Sequence, residues 1–171
     1  FVVSRGLFSG TSDTTFSPNT AMTRGMFVTT LGKLAKADVT GYKQISFNDV
    51  KSDAYYMGYI EWANQNSIVS GTGNGKFAPD QSITREQMAV IMQKYAKVMG
   101  FTLPKVREEN TFADDANISA YAKKTVKEMQ MAGVMGGKND NLFDPQGTAT
   151  RAEVSTVLRR FVELSSSGDT M

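Results

Sequence analysis

The sequence contains neither cysteine nor histidine. Without cysteine the chain can form no disulfide framework, no thiolate metal site and no cysteine nucleophile. Without histidine it lacks the commonest general base of enzymes and the commonest ligand of transition metals. Serine and cysteine catalytic triads of the usual kind are therefore excluded.

Long apolar runs and massed charge are also absent. Runs such as Met26-Phe27-Val28 are far too short to cross a bilayer, and we expect no membrane insertion. The net charge is +2, with lysine and arginine spread along the chain, whereas nucleic-acid binders concentrate basic residues on one face. The first residue is Phe1, so we expect a fragment or processed product whose export signal lies outside it. An apolar content of 40% suffices for one core, or for two or three small lobes in contact.

Three segments of the chain resemble one another at fixed spacing. A glycine, a phenylalanine, a proline and a Thr-Arg pair recur after 61 residues and again after 66 residues. Because four landmarks keep the same offset twice, the chain contains a repeat. We expect the three landmark phenylalanines to be buried anchors that pin each loop to its lobe. The landmarks are Gly10, Phe16, Pro18 and Thr23-Arg24; Gly71, Phe77, Pro79 and Thr84-Arg85; and Gly137, Phe143, Pro145 and Thr150-Arg151.

A second shared element precedes the landmarks. Phe47-Asn-Asp49 is matched by Phe112-Ala-Asp114, and Tyr55 by Tyr121, while the first copy keeps only the tail of this element. We therefore predict a partial repeat at 1–40, truncated on its N-terminal side, and complete repeats at 41–104 and 105–164. The serine-rich residues 165–171 are predicted to be a tail or flexible linker.

Each repeat is predicted to be a helix, an irregular loop and a second helix. The second helix has a clear start, because Thr84-x-x-Gln87 and Thr150-x-x-Glu153 are capping boxes. In the first repeat Met26 occupies the position of the acid, so only half of the box can form.

Behind these caps, apolar residues follow at helical spacing, and Gly100 is expected to end the second helix of the middle repeat. The front helices are predicted at 53–66 and 118–132. Because no such helix can bury its apolar stripe alone, the repeats should pack around a shared helical bundle, and the fold class is all-α. The apolar stripes are Met88, Ile91, Met92 and Tyr95; Val154, Val157, Leu158 and Phe161; and, more weakly, Phe27, Leu31 and Leu34.

The ordered pattern Phe-x-Asp, an aromatic-led helix, then Gly-(x)5-Phe-x-Pro-(x)4-Thr-Arg-x-Glu resembles the S-layer homology domain, which normally occurs as three tandem copies. The resemblance covers nearly the whole chain except residues 165–171. Two departures are visible: the first repeat reads Thr23-Arg24-Gly25-Met26, and Glu128 stands where the middle repeat has Trp62.

The resemblance implies three lobes in a pseudo-threefold arrangement around central helices. It also implies a non-catalytic module without a cofactor that holds a bacterial surface protein outside the cell, on the wall or in an S-layer. The expected partner is a secondary cell-wall polysaccharide, often carrying pyruvate ketals, bound in grooves between the lobes.

Three arginines are the leading ligand candidates. Arg24, Arg85 and Arg151 each follow the predicted N-cap threonine, where a cation meets the positive end of the helix dipole at a cost of about 0.3–1 kcal/mol. An anion at the helix start would offset that cost. The alternative is a structural salt bridge to Asp49, Asp114 or another acid of a neighbouring repeat. Because the cap of its repeat is degraded, we expect Arg24 to matter less than Arg85.

The loops at 71–76 and 137–141 offer backbone amides and short polar side chains to sugar hydroxyls, although they could be plain connections. The first resembles a phosphate-binding loop only superficially, because Phe77 follows Lys76 where a nucleotide-binding loop needs serine or threonine. No window supplies the spaced acids and final glutamate of an EF-hand, so calcium is not expected. The candidate residues are Thr72, Gly73, Asn74, Asn139 and Asp140.

Aromatic residues of the middle repeat could stack on sugar rings. At helical spacing such residues are more often core, and Tyr59 is predicted to be buried. Tyr55 and Trp62 remain open between core and ligand contact. The spacing of the carboxylates in the sequence does not single out a pair of the kind that glycosidases use for catalysis. An anchor is therefore the first prediction, a self-assembly or protein-docking module of a surface lattice the second, and a glycan-active enzyme the third.

Overall fold

The computed structural model describes residues 19–168, and this part of the chain contains five α-helices and no extended strand. The prediction of an all-α fold is confirmed. The helices are α1 (Arg24–Leu34), α2 (Met57–Gln65), α3 (Arg85–Val98), α4 (Lys123–Met131) and α5 (Arg151–Gly168), with 3-10 turns at Asp115–Asn117 and Asn139–Asn141.

The predicted capping boxes form. The Thr84 amide donates to Gln87 Oε1 (3.1 Å) and the Gln87 amide donates to Thr84 Oγ1 (3.3 Å). Thr150 and Glu153 make the same pair of bonds, at 2.8 and 3.2 Å. Two backbone N–H groups at each helix start are thereby satisfied without water. In α1 only half of the box exists, since the Met26 amide donates to Thr23 but Met26 returns no bond.

The front helices are shorter than predicted. Helix α2 begins at Met57 instead of 53, and α4 begins at Lys123 instead of 118. Neither start has a side-chain cap, and hydrogen-bonded turns precede both, such as those closed by the Met57 and Ala122 amides. The aromatic and apolar residues of these turns extend the helical pattern in the sequence without extending the helix.

The serine-rich residues predicted to be a tail or linker are helical as far as the structure describes them. Ser165–Gly168 continue α5. The hydroxyls of Ser165 and Ser166 donate to the carbonyl of Val162, and that of Ser167 donates to Glu163. Bonds of this kind back to the preceding turn let serine remain in a helix.

A closed ring of backbone hydrogen bonds joins the three repeats. The Met22 amide donates to Ala149 O (2.9 Å), the Ala149 amide to Ile83 O (3.0 Å), and the Ile83 amide back to Met22 O (2.8 Å). These residues are related by the repeat offsets, and their side chains are buried. The pseudo-threefold arrangement predicted from the repeats is therefore confirmed, with its axis at this ring.

A second ring surrounds the first at the helix starts. The amide of Arg24 donates to Gln81 O, that of Arg85 to Gly147 O, and that of Arg151 to Thr20 O, at 2.9, 2.9 and 3.0 Å. Helix N-termini leave amides without intrahelical partners. Here the neighbouring repeat supplies the acceptor, so each second helix is anchored at its first residue to another repeat.

The main helix–helix contacts also join consecutive repeats. Helix α1 packs on α2, and α3 packs on α4. At the first of these interfaces a β-carbon on Gly32 would lie 2.3 Å from Tyr59 Cδ1, so only glycine allows α1 and α2 to approach this closely. Each pair of packed helices therefore combines the second helix of one repeat with the front helix of the next.

The loop phenylalanines pin each loop to the core. Phe77 and Phe143 are fully buried, and their rings lie 5.4 and 5.3 Å from those of Phe47 and Phe112. The third predicted member of this set, Phe16, lies outside the described residues.

Two aspartates also hold these loops in place, through hydrogen bonds to backbone amides. The Asp49 carboxylate accepts from the amides of Phe77 and Ala78, at 2.9 and 2.8 Å. Asp114 accepts from the amides of Phe143 and Asp144 at the same distances.

Within residues 19–168, no helix has the length and apolarity needed to cross a membrane.

Replacement of Phe77 by alanine should lower the free energy of unfolding by about 3–5 kcal/mol, because it leaves a cavity in a fully buried site. Urea unfolding monitored by circular dichroism measures the change. Val106→Ala is the matched control, since that side chain is 61% exposed and its loss should be nearly neutral. Equal unfolding midpoints for Phe77→Ala and wild type would contradict the burial.

Asp49 should make stability depend on pH in the acid range. Burial alone raises the pKa of this carboxyl, but hydrogen bonds from the Phe77 and Ala78 amides, together with Lys76, outweigh it and leave the pKa below its ordinary value. A lowered folded-state pKa stabilises the fold fully above the unfolded value, near ~3.9, and this contribution disappears as the pH falls through the folded-state pKa.

Urea midpoints measured from pH 7 to 2 should therefore fall less steeply for Asp49→Asn than for wild type. Asp53→Asn, at an exposed carboxylate, serves as the control and should follow the wild-type curve. Parallel curves for Asp49→Asn and wild type would show that this carboxylate does not couple folding to protonation.

Candidate functional site

The first residues of α1 and α3 are arginines that cross from one repeat into the next. Arg24 donates through Nε to Phe77 O (3.0 Å), and Arg85 donates through Nε to Phe143 O (2.8 Å). Each guanidinium also lies over the ring of the same phenylalanine, with Cζ 4.7 and 5.0 Å from the ring centroid. Exposed fractions of only 4% and 5% show that both arginines form part of the packed interior.

Each of these arginines lines a groove between repeats. Groove 1 is a cavity of about 470 Å³ lined by Arg24, residues 68–72, Tyr121, and the α3 residues Gln87, Val90, Ile91 and Lys94. Groove 2 is a cavity of about 310 Å³ lined by Arg85, residues 135–138, and the α5 residues Ala152, Glu153, Thr156, Val157 and Arg160.

The two grooves are equivalent under the repeat. Eight loop and helix residues that line groove 2 follow lining residues of groove 1 by the same 66 residues that separate the repeats. In each groove an arginine from the preceding repeat lies at the start of its helix, and a second cation, Lys94 or Arg160, projects from the helix wall. Sequence reasoning missed this second cation, although a basic residue stands nine positions after every landmark arginine, as Lys33, Lys94 and Arg160.

Burial lowers the pKa of both guanidiniums from its ordinary value. For Arg24 the opposing influences are Tyr121 and Asp49, and for Arg85 they are Glu153, Asp144 and Asp114. An arginine remains charged at physiological pH even so, because its ordinary pKa is above 12. Each groove therefore holds a permanent, poorly hydrated cation.

The salt-bridge interpretation holds for Arg85. Arg85 Nη1 lies 3.4 Å from Glu153 Oε1, an acid of the following repeat. Asp49 and Asp114 form no ion pair with the arginines in the described part of the chain, since their carboxylates accept from loop amides instead. They act indirectly, by holding the loops whose Phe77 and Phe143 carbonyls the arginines bind.

Of the three predicted ligand residues in the loop at 71–76, only Thr72 lines groove 1. Thr72 lines groove 1, and its amide donates to Lys76 O (2.8 Å). Gly73 and Asn74 form the exposed tip of the same turn and do not line groove 1, and the Asn74 carbonyl accepts from Asn48.

In the third repeat, Asn139 and Asp140 form the corresponding exposed 3-10 turn. Lys138, one residue before this turn, lines groove 2, whereas Asn139 and Asp140 do not.

The remaining candidates occupy different environments. Tyr55 is 64% exposed, whereas Trp62 is 8% exposed and belongs to the core. Arg151 is buried at the start of α5, and the loop that its repeat partner would supply lies outside the described residues. Burial and Asp80 raise the pKa of Tyr55 while Arg151 opposes them, so these two predicted residues share one neighbourhood.

Tyr121, the counterpart of Tyr55, lines groove 1 at its rim. Its hydroxyl donates to Glu86 Oε1 (3.4 Å). Glu86 is buried and also accepts from the amide and hydroxyl of Ser119 and from Gln146, which fixes its carboxylate. The tyrosine is thereby held at the mouth of the groove, with burial and Glu86 raising its pKa.

Comparison with known proteins identifies the family to which this chain is similar. The chain matches the S-layer homology domain at residues 1–25, 46–89 and 111–155, which together make up most of its length.

Similar proteins are much longer than this chain. An amylopullulanase of Thermoanaerobacterium thermosulfurigenes is 34% identical over 168 residues, covering 96% of this chain and 9% of that protein. A surface-layer 125 kDa protein of Lysinibacillus sphaericus is 27% identical over 165 residues, covering 95% of this chain and 13% of that protein. A cellulosome-anchoring protein of Acetivibrio thermocellus is 26% identical over 151 residues, covering 86% of this chain and 33% of that protein.

The matched segments agree with the three repeats, and the grooves lie between those repeats. The chain therefore belongs to the S-layer homology domain family, whose members anchor proteins to the bacterial cell wall or S-layer.

Proposed function

We propose that this chain is a non-catalytic anchor that binds an acidic secondary cell-wall polysaccharide through grooves 1 and 2. The observation that carries the proposal is the pair of equivalent grooves, each with a buried arginine and a second cation on the helix wall. A carboxylate such as that of a pyruvate ketal on a sugar is the ligand that this arrangement fits.

Groove 1 has the shape and chemistry for one or two sugar units. Its volume of about 470 Å³ falls within the range of small-molecule sites. Val90 and Ile91 offer apolar surface to the carbon face of a sugar ring, while Thr72 and Gln87 offer hydrogen bonds. Tyr121 adds an aromatic edge at the rim.

Electrostatics favour an anion in this groove. Arg24 and Lys94 are its charged lining residues, and the described lining includes no carboxylate. The groove also includes residues of the first turn of α3, where the helix dipole favours negative charge. An acidic substituent of a sugar would therefore be recognised by charge as well as by shape.

The buried carboxylates support a non-catalytic role. Glu61 is fully buried and accepts from the amide and hydroxyl of Ser46, at 2.7 and 2.8 Å. Glu86 is occupied by Ser119, Tyr121 and Gln146. Carboxylates bound in this way do not form the facing pair that glycoside hydrolysis requires. The catalytic names of some relatives refer to proteins of which this chain covers a small part, 9% for the amylopullulanase.

Binding to purified, protein-free cell-wall sacculi tests the proposal. The chain should bind intact sacculi and lose binding when acid treatment removes the polysaccharide but leaves the peptidoglycan. Binding that survives this treatment would contradict a polysaccharide anchor. Binding that needs added surface protein would instead favour the alternative of a protein-docking module in a surface lattice.

The Lys94→Ala variant should weaken binding to sacculi roughly two- to fivefold, because a partly exposed ion pair contributes about 1 kcal/mol or less. Its control is Lys97→Ala, one turn along α3, where the side chain lines a different cavity together with Phe101 and Lys105. Binding isotherms at two salt concentrations measure both variants, and the loss caused by Lys94→Ala should shrink at high salt. Equal losses for the two lysines would point to non-specific charge attraction instead of groove 1.

A further inference from the structure

We propose that the two grooves are unequal: groove 1 is the principal carboxylate site, and Glu153 attenuates groove 2 as an internal counterion. The inference rests on the proposed function and concerns how its two sites differ. The deciding position is the third residue of the second helix, which is Gln87 in groove 1 and Glu153 in groove 2.

In groove 2 all three nitrogens of the arginine are engaged. Arg85 donates Nε to Phe143 O (2.8 Å), Nη2 to Gly136 O (2.7 Å) and Nη1 to Glu153 Oε1 (3.4 Å). Three of the five N–H donors are thereby used, so a ligand carboxylate would have to share Nη1 and Nη2 with these acceptors. It would also meet the negative charge of Glu153, and like charges in a poorly hydrated site repel strongly.

In groove 1 the equivalent arginine has unused donors. Within the described residues, the Arg24 side chain makes one hydrogen bond, from Nε to Phe77 O, and it has no ion pair within 4.0 Å. Gln87 is uncharged, so it does not neutralise the guanidinium. The two Nη atoms of a side chain that is only 4% exposed are therefore available along the wall of groove 1. A planar guanidinium with two free nitrogens suits a bidentate carboxylate.

The other cations that line the two grooves add to the contrast. Lys94 lines groove 1 without an ion-pair partner in the described part of the chain. In groove 2, Lys138 is paired with Asp144 (2.8 Å) and lies 3.9 Å from Glu153. Arg160, the cation on the helix wall of groove 2, has no ion-pair partner within residues 19–168. Groove 2 therefore pairs two of its three cations internally and leaves one for a ligand, whereas groove 1 leaves two. This reverses the expectation that the degraded cap of the first repeat makes Arg24 the weaker site.

The structure supplies a matched pair of variants. Gln87 and Glu153 both close a capping box with their threonine, and a side-chain oxygen accepts the threonine amide in each case. Exchanging glutamine and glutamate at these positions keeps that oxygen and changes only the charge beside the arginine. Both variants should therefore fold, as unchanged unfolding midpoints would verify.

The experiment is an amide NMR titration with the 4,6-O-pyruvate ketal of a methyl hexopyranoside. Gly71 reports on groove 1 and Gly137 on groove 2, so each groove gives its own dissociation constant. In wild type, Gly71 should titrate about tenfold more tightly than Gly137. Gln87→Glu should weaken the Gly71 site about tenfold, and Glu153→Gln should strengthen the Gly137 site by a similar factor. With the methyl ester of the same ketal, the difference between grooves should disappear.

Equal affinities at Gly71 and Gly137 in wild type would overturn the inference while leaving the proposed function standing. The same holds if the exchanged variants leave both affinities unchanged. No shift at either glycine at millimolar ketal would overturn both the inference and the groove mechanism, since the grooves would then hold no acidic sugar.

Discussion

A ring of three backbone hydrogen bonds is the constraint on which the rest of this structure depends. Each bond runs from an amide of one repeat to a carbonyl of another, and the last returns to the first through Met22, Ile83 and Ala149. Such a ring closes only when all three repeats are in place, because each segment donates in one direction and accepts in the other. The ring also sets where the second helices begin, since the next amides along the chain bond to a neighbouring repeat as well. The positions of the groove arginines therefore follow from the closure of the ring.

In the proposed function the arginines combine a structural and a binding role, and the two roles use nitrogens of the same guanidinium. The Nε atom of Arg24 or Arg85 holds the loop of the following repeat through a phenylalanine carbonyl, and the ring of that phenylalanine supports the guanidinium. This bracing fixes the direction of the Nη atoms. It also lowers the entropic cost of ligand binding, because the side chain is already ordered. How many N–H donors are left for a ligand then depends on the neighbours of each guanidinium, which include Glu153 and the Gly136 carbonyl for Arg85 and the uncharged Gln87 for Arg24.

Packing across repeats explains why grooves occur between the repeats. Helix α1 packs on α2 and α3 on α4, so the front helix of each repeat leaves its own second helix and joins the preceding one. Groove 1 accordingly draws on three repeats: Arg24 from the first, the loop and α3 from the second, and Tyr121 from the third. A single repeat could not form such a site. This gives a physical reason for the tandem arrangement beyond the burial of apolar surface.

Much of the local structure was determined by the sequence alone. The fixed offsets identified the repeats, the Thr84 and Thr150 capping boxes placed the starts of α3 and α5, and the landmark phenylalanines Phe77 and Phe143 were rightly expected in the core. These features depend on residues a few positions apart, or on a pattern repeated along the chain, and both are readable without knowing the neighbours. The late starts of the front helices were not readable, because hydrogen-bonded turns before α2 and α4 carry the same apolar residues as a helix would.

Only the tertiary structure decided which residues of different repeats meet. The sequence presents Arg24 and Arg85 as equivalent, and a degraded cap suggested that the first is weaker. The folded chain instead brings Glu153 to Arg85 across 68 residues and leaves Gln87 at the matching place in groove 1. Periodicity specifies the face of a helix on which a side chain lies, but not which helix or loop packs there. The partner of each arginine, and with it the charge left for a ligand, is settled when the three repeats close around their common axis.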